Sequence, residues 1–159
     1  MVYSELGHGT TFKIYLPCVD EIVQKPRWIE DDREKLSGIE TILLVEDEEV
    51  VRNLVRDILT DKGYNVLETD SGKEAIAICG TYSGPIHLLF SDVIMPNISG
   101  TELRDQLINL RPDIKVLFMS GYTDESISHS GILDSDSSFI EKPFTPDALA
   151  RKVREVIES

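Results

Sequence analysis

Five side chains of this sequence are of the right types to do chemistry together: Glu46, Asp47, Asp92, Ser120 and Lys142. Asp92 ends the run Leu88-Leu89-Phe90-Ser91 and is followed by Pro96 and Gly100. A short apolar run suits a strand buried on both faces, and neither Pro nor Gly continues a strand comfortably. Asp92 is therefore expected at the carboxyl end of a central parallel strand, where open α/β sheets place their ligands. Glu46-Asp47 close a similar run, Thr41 to Val45. Three carboxylates meeting in one crevice repel, and burying them unpaired is costly. A hard divalent cation relieves the strain. Mg²⁺ (or Mn²⁺ in its place) takes oxygen ligands and keeps several waters. Lys142 can pair with Asp92 and then hold the oxygens of a phosphoryl group carried there. Ser120 can donate its hydroxyl to the same group. Each residue also has a plainer reading: a turn aspartate, acids that favour a helix N-terminus, a surface lysine, a serine before Gly121. It is their joint placement that favours the metal and the phosphoryl group.

That placement depends on the elements between them. Thr41–Val45 reads as a first strand. Val51, Leu54, Val55, Ile58 and Leu59 then recur at helical spacing, and Gly63 ends that helix. Asn65-Val66-Leu67 is a second strand. Ser71-Gly72-Lys73-Glu74 is a capping box opening a helix that Gly80 and Gly84-Pro85 close. Ile86–Phe90 is the third strand, leading to Asp92. Ser99-Gly100-Thr101-Glu102 opens a helix burying Leu103, Leu107 and Leu110, which Pro112 stops. Ile114–Met119 is a fourth strand, ending at Ser120. A weaker helical stretch runs roughly from Asp124 to Ile132, and Asp134–Ser138 is polar loop. Phe139-Ile140 is a short fifth strand before Glu141-Lys142-Pro143. Thr145-Pro146 caps a last helix, with Pro at its first position. Five strand–helix alternations imply an α/β fold: a flavodoxin-like (βα)5 doubly wound parallel sheet of order 2-1-3-4-5. In that order the ends of strands one and three flank the switch point.

Composition narrows the function. The chain has 159 residues and a net charge of −13. Residues 41–159 hold 11 basic and 21 acidic residues, so the acidity belongs to the main domain and argues against nucleic acid as a partner. Cys18 and Cys79 lack metal-ligand spacing and imply no disulfide framework, which fits a reducing cytoplasm. Cys79 reads as a small buried hydrophobe. No run approaches a membrane span, and the N-terminus lacks signal-peptide character. No membrane contact is expected of this chain. Near the N-terminus, Gly7-x-Gly9 precedes Phe12, Ile14 and Leu16, which alternate with Lys13 and Tyr15 as one strand without a partner. Residues 18–40 read as a charged linker in which Trp28 and Ile29 are the sizeable apolar pair.

Two resemblances follow from these residues. Glu46-Asp47, Ser-Asp92-Val-Ile-Met-Pro, Gly100, Ser120-Gly121 and Phe-Ile-Glu-Lys142-Pro143-Phe, in that order over 41–157, resemble the receiver domain of two-component response regulators. Gly-x-Gly-Thr-Thr-Phe-x-Ile-Tyr-Leu-Pro resembles the last glycine box and following strand of the ATP-binding domain of sensor histidine kinases. The first resemblance implies that Asp92 is the phospho-acceptor. It also implies that Asp47, Asp92 and the backbone carbonyl of Ile94 bind Mg²⁺, with Glu46 acting largely through water. Lys142 and Ser120 would contact the phosphoryl oxygens. Phe139 would be the switch aromatic that fills the space Ser120 leaves, and the Lys142–Pro143 peptide would be cis. The donor would be a phosphohistidine on a histidine kinase dimerisation domain or a histidine phosphotransfer protein. Together the resemblances imply the C-terminal part of a hybrid sensor histidine kinase. Residues 1–17 would be a fragment of the kinase domain without ATP binding, 18–40 the linker and 41–159 the receiver. The location would be cytoplasmic, with a parent that could be membrane-anchored. Two residues follow Ile157, so no DNA-binding domain is expected, and output would be phosphotransfer or feedback on the kinase. At most the chain would phosphorylate and dephosphorylate itself. A pseudo-receiver that only binds protein is the alternative. An aspartyl phosphohydrolase would need a second Asp where Ile94 stands.

Overall fold

The computed structural model describes residues 2–15, 36–121 and 138–159. In chain order its elements are β1 (Val2–Glu5), β2 (Gly9–Phe12), β3 (Thr41–Val45), α1 (Glu49–Asp61), β4 (Asn65–Thr69), α2 (Gly72–Thr81), β5 (Leu88–Asp92), α3 (Gly100–Leu110), β6 (Lys115–Ser120), β7 (Ser138–Glu141) and α4 (Pro146–Glu158). β3 is buried at all its positions, and β5 at all but Asp92. Strand side chains alternate between faces, so such runs need cover on both sides. The helices supply it. Ile42, Leu44, Leu88, Phe90, Leu117 and Met119 pack with residues of α1 and α4. Leu43, Val45 and Leu89 pack with Ala75 and Cys79 of α2 and Leu103 and Leu107 of α3.

The five strands run parallel in the order β4-β3-β5-β6-β7. Numbering the strands of this sheet from β3, that is the expected 2-1-3-4-5. Several element ends differ from the sequence reading. β4 continues to Thr69, and β5 spans Leu88–Asp92 rather than Ile86–Phe90. α2 runs through Gly80 to Thr81, so that glycine does not close it. Gly63 does adopt a positive φ of 92° after α1, and its N–H bonds the Thr60 carbonyl. The Ser99–Glu102 capping box is complete. At Ser71 only half of the expected box forms: Ser71 accepts from the Glu74 N–H, but the Glu74 carboxylate takes the Thr69 hydroxyl at 2.7 Å. Thr145 caps α4 with Pro146 at its first turn.

The N-terminal strand was expected to lack a partner. Instead Val2–Glu5 pairs with it antiparallel, Val2 opposite Phe12 and Glu5 opposite Gly9. Gly7 and Gly9, with φ of 83° and 88°, make the turn that a side chain would disfavour. The strand also stops at Phe12 rather than continuing to Leu16. Both faces of this hairpin are open, with Val2 61% and Tyr3 65% exposed. Residues 18–35 of the expected 18–40 linker, with Trp28, Ile29 and Cys18, as well as Leu16, the helix at 124–132 and most of the 134–138 loop, lie outside the described residues.

Candidate functional site

The carboxyl ends of the strands bring the candidate residues to one edge of the sheet. Asp92 is level with Met119 on β6, and Ser120 is level with Glu141 on β7. Val45 is level with Ser91, so Glu46 leaves β3 beside Asp92. Lys142 follows β7 directly, and its N–H bonds the Ser120 carbonyl at 2.7 Å. Its ammonium lies 2.7 Å from Glu46 Oε2 and 2.8 Å from Asp92 Oδ2. One lysine on the edge strand's exit thus ties together the exits of the two central strands. The Lys142–Pro143 peptide is cis, as expected from the resemblance.

Burial sets the electrostatics. The side chains of Glu46, Asp92 and Lys142 are 2%, 16% and 20% exposed. Burial lifts the Glu46 carboxyl above its ordinary value, outweighing the Lys142 ammonium and the Glu48 N–H, which act the other way. Burial would lower the Lys142 pKa, but its bonds and charge interactions with Asp92 and Glu46 raise it, so the lysine stays protonated. The remaining acceptors are held locally. Glu46 Oε1 takes the Glu48 N–H at 3.2 Å, and Asp92 Oδ1 takes the Ile94 N–H at 3.0 Å.

The backbone around Asp92 is tightly confined. A Cβ added to Gly100 would run into the Asp92 carbonyl oxygen and press on the Phe118 ring and Val93. Gly100 also donates its N–H to the Val93 carbonyl. Only glycine lets α3 start this close to the strand end. The Ser91 hydroxyl bonds the Asp92 carbonyl at 2.9 Å.

Three carboxylates were expected to converge. Two of them, Glu46 and Asp92, are drawn together through Lys142, while Asp47 stands on the exposed turn that follows Glu46. Among the described residues, no group of three or more His, Cys, Asp or Glu could cage a metal ion. That set still suits Mg²⁺, which uses one or two carboxylates and retains waters rather than demanding a full protein cage. Asp47 and Ile94 are exposed and Asp92 is half-buried, so this edge of the sheet is open to water. Ser120 is buried and Phe139 half-buried on the adjacent strands. Sequence reading missed Arg52, whose Nη1 donates to the carbonyls of Glu46 at 2.7 Å and Asp47 at 3.4 Å. Its signal was a cation within the first turn of a helix that opens on four acids.

A doubly wound parallel sheet of this strand order, with acids and a lysine gathered at its switch point, is the flavodoxin-like class of α/β domain, which takes its ligands in that crevice. Comparison with known proteins narrows the class. The response regulator receiver domain matches residues 42–154, and the chain belongs to that family. Phosphotransfer onto an aspartate is the family's general function, and Mg²⁺ generally serves it. The chain is 39% identical over 163 residues to the sensor kinase CckA of Brucella abortus (strain 2308), covering 98% of this chain but 17% of that protein. It is 28% identical over 116 residues to the response regulator receiver protein CpdR of the same organism, covering 73% of this chain and 95% of that one. The crystal structure of a receiver domain from the hybrid histidine kinase CckA superposes with a TM-score of 0.63 at 36% identity. That match covers 74% of this chain and 98% of the other. Chemotaxis protein CheY4 of Vibrio cholerae superposes with a TM-score of 0.65 at 25% identity, covering 75% and 99%. Among the described residues no helix is long and apolar enough to cross a membrane.

Proposed function

We propose that Asp92 is the phospho-acceptor of this receiver domain and that Lys142, Ser120 and Phe139 serve the transfer and its readout. The observation that carries the proposal is the Lys142 bridge between Glu46 and Asp92. A carboxylate oxygen of Asp92 attacks the phosphorus of a phosphohistidine. The new O–P bond makes an acyl phosphate, the P–N bond breaks, and its electron pair returns to the imidazole, which takes up a proton. Asp47, Asp92 and the Ile94 carbonyl would hold Mg²⁺, with Glu46 acting through water, and the ion when bound would supply charge neutralisation on the transferring oxygens. Lys142, already within 2.8 Å of Asp92, needs no long movement to hold the incoming oxygens. Ser120 offers its hydroxyl at the next strand end, and Phe139 fills the space that its movement leaves.

The parent is proposed to be a cytoplasmic-facing hybrid sensor histidine kinase. Its phosphohistidine domain, or a histidine phosphotransfer protein, would be the donor. Residues 1–17 would be the edge of its ATP-binding domain and 18–40 the linker to the receiver at 41–159. The open faces of the hairpin and the alignment of 98% of this chain with a sensor kinase support that order. The test is label transfer from a ³²P-phosphohistidine donor, or acetyl phosphate, to the wild-type chain and to Asp92→Asn. Stoichiometric, acid-stable and base-labile label on wild type and none on the variant is expected. Equal labelling of both would refute the assignment of Asp92, and a folded wild type that takes no label would leave the protein-binding pseudo-receiver.

A further inference from the structure

We propose that Arg52 is a positioning residue for the acidic turn: its guanidinium fixes the Glu46–Asp47 backbone from which the two acids project. The inference rests on the phosphoryl-acceptor reading of the site for its consequence, and on the hydrogen bonds of Arg52 for its geometry. β3 stops pairing at Val45. Beyond it the Glu46 N–H still reaches the Thr69 carbonyl at 3.2 Å, but the turn then leaves the sheet. Neither Glu46 nor Asp47 is in register with a neighbouring strand, so their carbonyls need donors from elsewhere. Arg52, three residues into α1, supplies them through one nitrogen at 2.7 Å and 3.4 Å. Its own N–H bonds the Glu48 carbonyl at 2.9 Å, so helix and turn are locked to each other at two points. The Glu48 N–H closes the loop onto Glu46 Oε1.

The guanidinium could act in three ways, and they differ in sign. As a bare charge beside four acids it repels a divalent cation, and its removal would tighten Mg²⁺ binding. As a structural staple alone it would affect stability and leave affinity where it is. As a positioning group it holds the donors in place, so its removal costs affinity even though a repelling charge has gone. Loss of groups that orient metal ligands commonly weakens binding by about 10–100-fold.

The experiment is an amide NMR titration with Mg²⁺ on the full chain, alongside hydrogen exchange of the Glu46–Glu48 amides without metal. Wild type, Arg52→Ala, Arg52→Gln and Arg56→Ala are compared. Arg56 lies on the same helix but pairs with Asp57 and Glu68 on the surface. Arg52→Ala is expected to bind Mg²⁺ about tenfold more weakly and to exchange faster at Glu48 without metal. Arg52→Gln, a donor without charge, is expected to recover part of both, and Arg56→Ala to change neither. Tighter binding by Arg52→Ala, or unchanged binding with a lowered Tm, would overturn the proposal. A wild type unmoved by Mg²⁺ would instead overturn the metal reading of the site, and the Glu48 exchange rate would still decide whether Arg52 holds the turn.

Discussion

Lys142→Met removes the charge that makes the site tolerable to the fold while keeping most of the side chain's volume. The variant leaves Glu46, whose side chain is 2% exposed, and Asp92, 16% exposed, without their shared counter-ion. Breaking a buried pair from one side costs about 3–5 kcal/mol. Asp92 and Lys142 keep partial contact with water, so about 2–3 kcal/mol is the expected loss at neutral pH. In a domain of this size that lowers Tm by on the order of 10 °C. The pH dependence separates this cause from poor packing. Burial already lifts the Glu46 carboxyl above its ordinary 4.5, and without the lysine it rises further. A carboxyl whose folded value is raised costs nothing well below 4.5, where it is protonated in both states. The cost grows as pH climbs from 4.5 through the folded value. Urea unfolding of wild type and Lys142→Met from pH 4.5 to 7.5 should therefore show a gap that is small at the acid end and widens to its full size above the raised folded value. A gap of the same size at every pH would refute the electrostatic reasoning and leave only lost packing of the lysine stem.

Other consequences of the geometry can be checked alongside. Gly100→Ala forces a Cβ onto the Asp92 carbonyl, so a loss of about 1–3 kcal/mol in urea unfolding is expected, together with slower labelling by acetyl phosphate. Arg111→Ala strips the donors from the carbonyls of Cys79, Tyr82 and Gly84. Calorimetry should show about 1–3 kcal/mol lost, and ordinary stability would mean those carbonyls find water instead. Burial would raise the Glu40 carboxyl, but the Arg154 hydrogen bond at 2.8 Å and its charge, with backbone donors, hold it below 4.5. The pair's contribution, about 1–2 kcal/mol, is present above pH 4.5 and lost as pH falls through the folded value. Arg154→Met should therefore destabilise at pH 7 and converge on wild type in acid.

The sheet order was legible because the three central strands write continuous apolar runs, and these, with two shorter strands separated from them by helical periodicity, leave few topologies. Glu46, Asp92 and Lys142 were legible for the same reason: each stands at or just past the end of a strand, so the order of the strands places them together. What escaped depends on side chains that cross between elements. Glu74 fits a capping box by spacing, yet Thr69 offers its carboxylate a nearer hydroxyl across the β4–α2 turn. The Val2–Glu5 strand holds Ser4 and Glu5, is too short and polar to show a period, and is revealed only by its pairing across Gly7. Arg52 looks like any helix-face cation until the carbonyls left by β3 are counted.

The same accounting of donors and acceptors constrains how the site can work. Asp92 Oδ1 is engaged by the Ile94 N–H and Oδ2 by Lys142. The Glu46 carboxylate is engaged at both oxygens, by Glu48 and Lys142. A phosphoryl group added to Asp92 brings three further acceptor oxygens within reach of a single ammonium. Lys142 can follow them only by loosening its 2.7 Å bond to Glu46, a carboxylate too buried to turn to water. Glu46 must then be compensated by a proton, which its raised pKa favours, or by cation-bound water. Phosphorylation and the charge state of Glu46 are consequently linked: Glu46→Gln should weaken Mg²⁺ binding during labelling while freeing Lys142 for Asp92. Measured as the Mg²⁺ concentration giving half-maximal labelling, the variant should need more metal than wild type. An unchanged requirement would show that Lys142 keeps both partners throughout.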